Sequence, residues 1–160
     1  MELSISFVPL IDPDASCRAE MVVRYLLLLH ASGKDPLTES RLCAEDFICT
    51  YAADFGIAAE NLNGNSGYRY GEYASRCSMA NDAIRHLVLR GMISVHADDR
   101  GFTYAITAAG SDYCSTLNSA YADSYCQLAY TVIEKYAHNT DTELVRQIWA
   151  KASSEGREEM

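Results

Sequence analysis

The side chains that most often carry catalysis are present in this sequence, but their spacing does not assemble a site. Four histidines stand at positions 30, 86, 96 and 138, and no pair has the i, i+4 spacing around a glutamate that metal-assisted hydrolysis uses. Asp98 and Asp99 are too few ligands for a cation, and their Asp- and Gly-containing context is typical of a hairpin turn. The sequence also lacks a phosphate-binding loop and a GxSxG motif. These patterns predict a protein that is not an enzyme and uses no cofactor or metal.

The six cysteines give the same indication. They stand at positions 17, 43, 49, 77, 114 and 126, and none forms a CxxC pair. Cys43 and Cys49 are six residues apart on one helix, so they cannot chelate a single ion from one face. Most of the cysteines fall on predicted buried helix faces, where a free thiol behaves as a small apolar group. A structural role is therefore favoured over zinc binding or redox chemistry.

The charge distribution argues against a protein that works mainly by coating phosphates, which should be basic. The net charge is -9. The balance is -6 over residues 1–60, +1 over residues 61–110 and -4 over residues 111–160. The N-terminus does not have the pattern of a signal peptide, and the longest apolar run, Tyr25–Leu29, is far short of a membrane span. We expect a soluble, cytoplasmic protein with no membrane partner.

Apolar periodicity and capping residues predict a helix–helix–helix–hairpin–helix order. A wide apolar face, an N-cap at Ser16 and a stop at Gly33 define the first helix. The helix at Glu72–Arg90 places Cys77, Ala80, Ile84, Leu87 and Val88 on a buried face. The remaining predicted elements are a helix from Thr38 to about Asp54–Gly56, an irregular loop at Ile57–Gly71, strands at Met92–His96 and Phe102–Ile106, a helix start at Thr107–Gly110, and helices at Ser119–Ala137 and Asp141–Lys151.

This order predicts a mainly α fold with a small β-hairpin wing, a winged helix-turn-helix with C-terminal helical additions. We expect an extended N-terminal segment over residues 1–15. The winged-helix domain with its long C-terminal helix then spans residues 16–138, and a terminal helix and flexible tail occupy residues 139–160. The apolar residues at the extended N-terminus could pack on a neighbour.

A winged helix raises the question of DNA binding. The helix at Glu72–Arg90 would be the recognition helix, and Arg85, Arg90 and Arg100 are candidate phosphate contacts. The acidic residues in the same region, two of them at the wing tip, oppose such contact. A solvated or ion-paired face is the alternative explanation for these charges. Weak DNA contact inside a larger assembly is therefore favoured over autonomous, sequence-specific binding.

Three stretches together resemble a known family. They are "RYLLLLHASGKDPLTESRLCAEDFICTYAADFG" at residues 24–56, "YRYGEYASRCSMANDAIRHLVLRGMISV" at residues 68–95 and "GFTYAITAAG" at residues 101–110. In this order they resemble the middle component of the ABC three-component systems, in particular the small accessory subunit of Lamassu-type antiphage defence complexes. The resemblance covers roughly residues 7–137.

The resemblance implies an adaptor that joins an SMC-like coiled-coil ABC ATPase to a nuclease effector and helps control effector release when DNA is sensed. DNA would be reached through the complex. It also implies a polar contact patch at the RxGE…R stretch, formed by Arg69, Tyr70, Glu72 and Arg76. The alternative for Glu72 and Arg76 is an i, i+4 ion pair that only supports the helix.

Two further interpretations stay open at the sequence level. Tyr121, Tyr125 and Tyr136, on the apolar stripe of the long helix, are second-choice partner contacts, with burial in the chain's own core as the favoured alternative. The rival function is a MarR-like transcription regulator, which would form a homodimer through its terminal helices and bind a palindromic DNA site. The adaptor predicts companion proteins, whereas the regulator predicts tight DNA binding by the chain alone.

Overall fold

The core of the protein is built around two helices that are buried on nearly every side. In the computed structural model, residues 13–65 and 67–158 are described, with side chains described for these except 13–18, 70 and 155–158. Helix α1 (Pro13–Ser32) supplies an unbroken buried run, Tyr25–Leu29. It packs against the helices that follow it and against the sheet. Helix α2 (Glu39–Thr50) is buried from Arg41 to Thr50. The remaining helices are α3 (Arg69–Leu89), α4 (Ala108–Thr116), α5 (Ala120–Lys135) and α6 (Asp141–Glu158).

A small antiparallel sheet closes one side of the helices. Strands β2 (Ile93–Asp98) and β3 (Gly101–Ile106) form the predicted hairpin, and β1 (Leu37–Thr38) pairs with β3, so the strand order is β1-β3-β2. The register places Val95 opposite Tyr104 and Ala97 opposite Phe102. The prediction of a mainly helical fold with a small hairpin is confirmed. The finer assignment to the winged helix-turn-helix class stays a prediction.

Helix starts and stops follow the local chemistry of the sequence. Thr38, Thr107 and Ser119 each accept a hydrogen bond from a backbone N–H in the first turn of the helix that follows, which is the role of an N-cap. Gly33 and Gly91 have φ of 67° and 69° and follow α1 and α3, as a left-handed C-terminal residue requires. These positions were predicted from residue type alone.

Several boundaries differ from the sequence-based expectations. Helix α2 ends at Thr50 instead of near Asp54–Gly56, and α3 begins at Arg69 instead of Glu72. Helix α1 begins at Pro13 instead of Ser16, because proline is tolerated in the first turn of a helix; residues 1–12 of the expected extended segment lie outside the described residues. Helix α6 continues to Glu158 although a loose tail was expected after Lys151. Strand β1 was expected to be loop, since two residues carry no periodicity that could reveal a strand.

Gly110 sits where the hairpin meets α4 with no room for a side chain. A Cβ added there would lie 2.2 Å from the carbonyl oxygen of Met92 and 2.8 Å from Cγ1 of Ile106. The same carbonyl accepts a hydrogen bond from the backbone N–H of Thr107. This close approach fixes α4 against the base of the hairpin.

Candidate partner-binding surface and the polar network beneath it

Helix α2 carries charged residues into the centre of the protein. Arg41, Glu45 and Asp46 are all buried, with relative exposures of 8%, 1% and 1%. Charged groups removed from water must be paired or hydrogen-bonded, since isolated burial costs several kcal/mol. The helix is packed by α1, α3, α5 and α6, and each of these neighbours supplies a side chain to the pairing; that of α6 is Asp141, whose Oδ1 lies 3.5 Å from Arg41 Nη1.

Asp46 is the centre of the larger of two ion-pair clusters. Its carboxylate accepts hydrogen bonds from Arg24 Nε at 2.8 Å, from the Tyr125 hydroxyl at 2.7 Å and from Arg24 Nη2 at 3.3 Å. Arg76 Nη1 lies 3.5 Å from Oδ2 of the same carboxylate. Desolvation alone would raise the pKa of Asp46, but the charges of Arg24 and Arg76 and the hydrogen bonds outweigh it and lower that pKa. Asp46 is therefore held as a carboxylate that joins α1, α2, α3 and α5.

The predicted RxGE…R patch faces this network. Arg76 Nη2 lies 2.8 Å from Glu72 Oε1, and Arg76 Nη1 donates a hydrogen bond of 2.7 Å to Thr50 Oγ1. Glu72 also accepts a hydrogen bond from the Tyr51 hydroxyl. Arg76 itself is only 7% exposed. The i, i+4 ion pair, which the sequence left open as an alternative, is present, and the Arg76 side chain is buried beside Thr50 and Asp46.

Arg69 at the start of α3 fastens the irregular loop that precedes it. Its Nε lies 2.9 Å from Asp54 Oδ2, its Nη2 donates to Asn65 Oδ1 at 3.1 Å, and its guanidinium stands 5.2 Å from the centroid of the Tyr51 ring. The side chain is half-buried. Tyr70 lies in α3, and its side chain is outside the described part of the chain. Arg69 thus holds the loop against α2 and α3.

Arg41 organises the second cluster. Its Nε donates to Glu45 Oε1 at 2.7 Å, and its two terminal nitrogens donate to the backbone carbonyls of Tyr136 and Asn139, each at 2.6 Å. These carbonyls follow the C-terminal end of α5, where a positive charge is favourable. Burial raises the pKa of Glu45, and Arg41 opposes that shift. The cluster fixes the α5–α6 connection to α2.

The three candidate nucleic-acid contacts, Arg85, Arg90 and Arg100, differ in exposure and in pairing. Arg100 is exposed at the wing tip, but its Nη2 lies 2.7 Å from Asp98 Oδ2 and its backbone N–H donates to Asp98 Oδ1 at 2.8 Å. The turn therefore carries two negative charges, on Asp98 and Asp99, and one positive charge, on Arg100. Arg85 is exposed on the outer face of α3, whereas Arg90 at its C-terminal end is half-buried.

The hairpin carries an apolar face that changes from buried to exposed along its length. Cross-strand pairing puts Ile93, Val95 and Ala97 of β2 on the same face as Phe102, Tyr104 and Ile106 of β3. Ile93 at its base and Tyr104 in its middle are 2% and 9% exposed, whereas Val95, opposite Tyr104, and Phe102, beside the turn, are 45% and 69% exposed. We call the outer part of this face, Val95, Ala97 and Phe102, the wing face. An exposed aromatic residue that lies within an apolar patch marks a protein contact more often than an isolated exposed aromatic residue does.

The tyrosines of α5 separate into core and surface. Tyr125 is completely buried on Asp46, so the alternative of burial in the chain's own core holds for it. Tyr121 is 40% exposed and donates a hydrogen bond to Asn63 Oδ1 at 2.9 Å, which anchors the irregular loop from a second side. Tyr130 is 50% exposed. Of the three second-choice contacts, Tyr125 and Tyr136 are buried and Tyr121 is exposed.

The sequence analysis did not predict the ion-pair network around Asp46. Neither Arg24 nor Asp46 was singled out, and Cys77, expected on the buried face of α3, is exposed while Cys43 is buried. A signal was present: "RLCAEDF" places three charged residues inside a helix whose other positions are mostly apolar. Such a pattern is typical either of a helix with one face in solvent or of a helix that is buried on all sides. Only the packing of the neighbouring helices decides between these two cases.

The part of the chain that the structure describes contains no candidate metal centre. Among the described residues, 13–65 and 67–158, no group of three or more His, Cys, Asp or Glu side chains could hold a metal ion. No helix in the same part of the chain is long and apolar enough to cross a membrane. Arg24, Asp46 and Arg76 pair with one another and hold the helices together. Arg41 and Glu45 also line an open cleft of about 630 Å³, together with Arg100 and Asp141.

These features define a mainly helical protein with a small antiparallel sheet, an internal ion-pair network and a partly exposed apolar hairpin. Comparison with known protein families matches residues 17–158 to Middle Component 2 of the ABC-three component (ABC-3C) system. The chain belongs to this family, and the resemblance to a middle component is confirmed. Comparisons with curated proteins and with solved structures gave no match. Family membership supports an accessory role within a system of three components.

Proposed function

We propose that this protein is a non-catalytic accessory subunit of a bacterial antiphage defence complex of the Lamassu type. In this proposal it bridges an SMC-like coiled-coil ABC ATPase and a nuclease effector in the cytoplasm. It also helps control release of the effector when the ATPase engages DNA. Membership of the middle-component family over residues 17–158 supports the accessory role. The structural observation that carries the partner-binding part is the wing face, where Phe102 is 69% exposed.

The order of elements supports a winged helix as the scaffold. A helix, a short strand, two helices and a two-stranded hairpin follow one another from α1 to β3, and the short strand pairs with the second hairpin strand. The helical additions, α4 to α6, then cover α1 and α2. In this scaffold α3 takes the position of a recognition helix and the hairpin that of the wing.

The surface favours a protein partner over DNA as the occupant of the wing. A DNA-contacting wing should present unpaired cations to phosphates. Here the tip is acidic, Arg100 is paired with Asp98, and the face beside it presents Val95 and Phe102. Burying an exposed aromatic side chain in a partner pocket is worth more than any rim charge. DNA contact through Arg85 and Arg90 remains part of the proposal only within the complete assembly.

The mechanism is positional. The two ion-pair clusters make the helices a rigid unit, because each buried arginine is held by partners on more than one element. A rigid unit with contact surfaces at the wing face and at the exposed side of Tyr121 can hold two partners at a fixed separation. A change in the ATPase would then be transmitted as a displacement of the whole subunit. Arg69 and Glu72 act by shaping the loop beside Tyr121.

The test is reconstitution with wing-face variants. We would co-express the three components of the system, purify through a tag on this chain, and quantify the ATPase and nuclease recovered. Phe102→Ser should lower recovery or affinity of one partner at least tenfold, about 1.4 kcal/mol. Leu89→Ser is the matched control, since Leu89 is 79% exposed at the end of α3, outside the wing face.

Both variants should fold as the wild type does, because substitutions at exposed positions change stability by roughly 0.5 kcal/mol or less. Equal recovery of both partners with Phe102→Ser and wild type would remove the wing face from the proposal. A purified homodimer that binds a palindromic DNA site at nanomolar concentration would instead support the MarR-like regulator.

A further inference from the structure

Two cysteine thiols from neighbouring helices meet beside the polar network. Cys43 on α2 and Cys77 on α3 have their Sγ atoms 3.0 Å apart, and both are free cysteines. Cys43 is 2% exposed, whereas Cys77 is open to solvent. A disulfide bond is about 2.05 Å long, so an approach of only about 1 Å separates this contact from a covalent bond.

The environment of the pair gives its two members different roles. The hydrogen bond from the Cys43 thiol, joined by one from Tyr73, lowers the pKa of Cys77 to about 7, although desolvation and the charge of Glu39 oppose the shift. The same hydrogen bond and burial raise the pKa of Cys43 far above its ordinary value. The thiolate is the reactive form of cysteine. The exposed member is therefore the nucleophile and the buried member keeps its proton.

The other described cysteines lack this combination. Burial raises the pKa of Cys49, Cys114 and Cys126, and none of the three is as exposed as Cys77. Among the described residues, Cys43 and Cys77 are also the cysteines that form a thiol–thiol contact. Geometry and exposure thus single out this pair from the structural cysteines that the sequence predicted.

We propose that Cys43 and Cys77 form a reversible oxidation site, at which a peroxide converts the two thiols into a disulfide between α2 and α3. The Cys77 thiolate attacks one oxygen of the peroxide, the O–O bond breaks, and Cys77 becomes a sulfenic acid. For hydrogen peroxide, the leaving hydroxide is protonated to water. Cys43 Sγ then attacks the sulfenic sulfur, and the displaced hydroxide leaves as a second water with the proton from Cys43. Two thiols and one hydrogen peroxide give one disulfide and two waters.

The bond would tie together the two helices that frame the irregular loop. Cys43 and Cys77 are 34 residues apart in sequence, and Cys77 directly follows Arg76, which contacts Asp46 and Thr50. Closing a loop of this length restricts the unfolded chain more than the folded one. The thermal midpoint should therefore rise by roughly 5 to 15 °C on oxidation and return on reduction.

The experiment treats the reduced full-length protein with hydrogen peroxide, blocks remaining thiols by alkylation, and maps the products by mass spectrometry. We expect a peptide linked through Cys43 and Cys77 to be the dominant disulfide, and dithiothreitol to reverse it. Cys43→Ala should stop the reaction at a sulfenic acid on Cys77, trapped by a cyclic dione. Cys77→Ser should slow oxidation of Cys43 at least tenfold.

Cys126→Ser is the matched control, because Cys126 is half-buried on α5 and away from the pair; it should form the disulfide at the wild-type rate. Three results would overturn the proposal. They are a dominant disulfide between other cysteines or between two chains, oxidation of Cys77 to sulfinic acid with Cys43 left free, and oxidation of Cys77 no faster than that of Cys126. Because Cys77 is exposed, Cys77→Ser tests the idea even if Cys43→Ala unfolds the protein.

Discussion

Replacing Asp46 by asparagine should cost the protein a large share of its stability. The substitution keeps the shape of the side chain but removes the charge that pairs with Arg24 and Arg76, which are 3% and 7% exposed. Removing one partner of a buried ion pair costs about 3–5 kcal/mol, because the remaining charge is left uncompensated. The new amide also points a donor toward groups that are themselves donors. Against a typical total of about 5–15 kcal/mol, this loss should be unmistakable.

Urea unfolding of the purified protein measures the effect, since urea does not screen charges. Asp46→Asn should shift the midpoint to markedly lower urea with little change in the slope. Asp82→Asn on the exposed face of α3 is the matched control. It makes the same change in net charge and should alter stability by roughly 0.5 kcal/mol or less. A loss below about 1 kcal/mol for Asp46→Asn would refute the view that this ion-pair network organises the core.

Three further outcomes follow from the structure. The folded pKa of Asp46 is lowered, so its contribution to stability is complete above the unfolded pKa of about 3.9 and is lost as pH falls through the folded pKa. The stabilities of wild type and Asp46→Asn should therefore begin to converge below about pH 4 and approach each other fully only below the folded pKa. Gly110→Ala should destabilise the protein by about 1–3 kcal/mol in thermal melts, because the added Cβ would meet the Met92 carbonyl. Gly71→Ala is the control, since nothing lies within 4 Å of its added Cβ, and it should be neutral or slightly stabilising. Arg100→Ala should change stability by less than about 1 kcal/mol, measured in the same urea assay, because its ion pair with Asp98 is exposed.

Much of the fold was readable from the sequence because its signals are local. Thr38, Thr107 and Ser119 mark helix starts, Gly33 and Gly91 mark helix ends, and the hairpin alternates apolar and polar residues. Strand β1 was not readable, since it depends on pairing with a distant strand. The extension of α6 to Glu158 was not readable because residues 152–158 carry no apolar periodicity. A two-residue strand exists only because β3 lies beside it.

The functional residues were less predictable for a physical reason. A sequence shows that Arg76 and Glu72 share a helix face, but it does not show whether that face meets solvent or another helix. Here Asp46, thirty residues earlier, draws Arg76 inward. The same uncertainty applied to Cys43 and Cys77, whose contact depends on how α2 packs on α3. The exposure of Phe102, in contrast, follows from its place beside the turn, where a hairpin extends past the core.

The central claim is that this chain works as a subunit and not alone. Native mass spectrometry of the co-expressed three-component assembly tests it most directly. We expect a discrete complex that contains this chain with both the ATPase and the nuclease, and loss of one partner when Phe102 is changed to serine. Recovery of this chain only as itself, with neither partner bound and with tight, sequence-specific DNA binding, would contradict it.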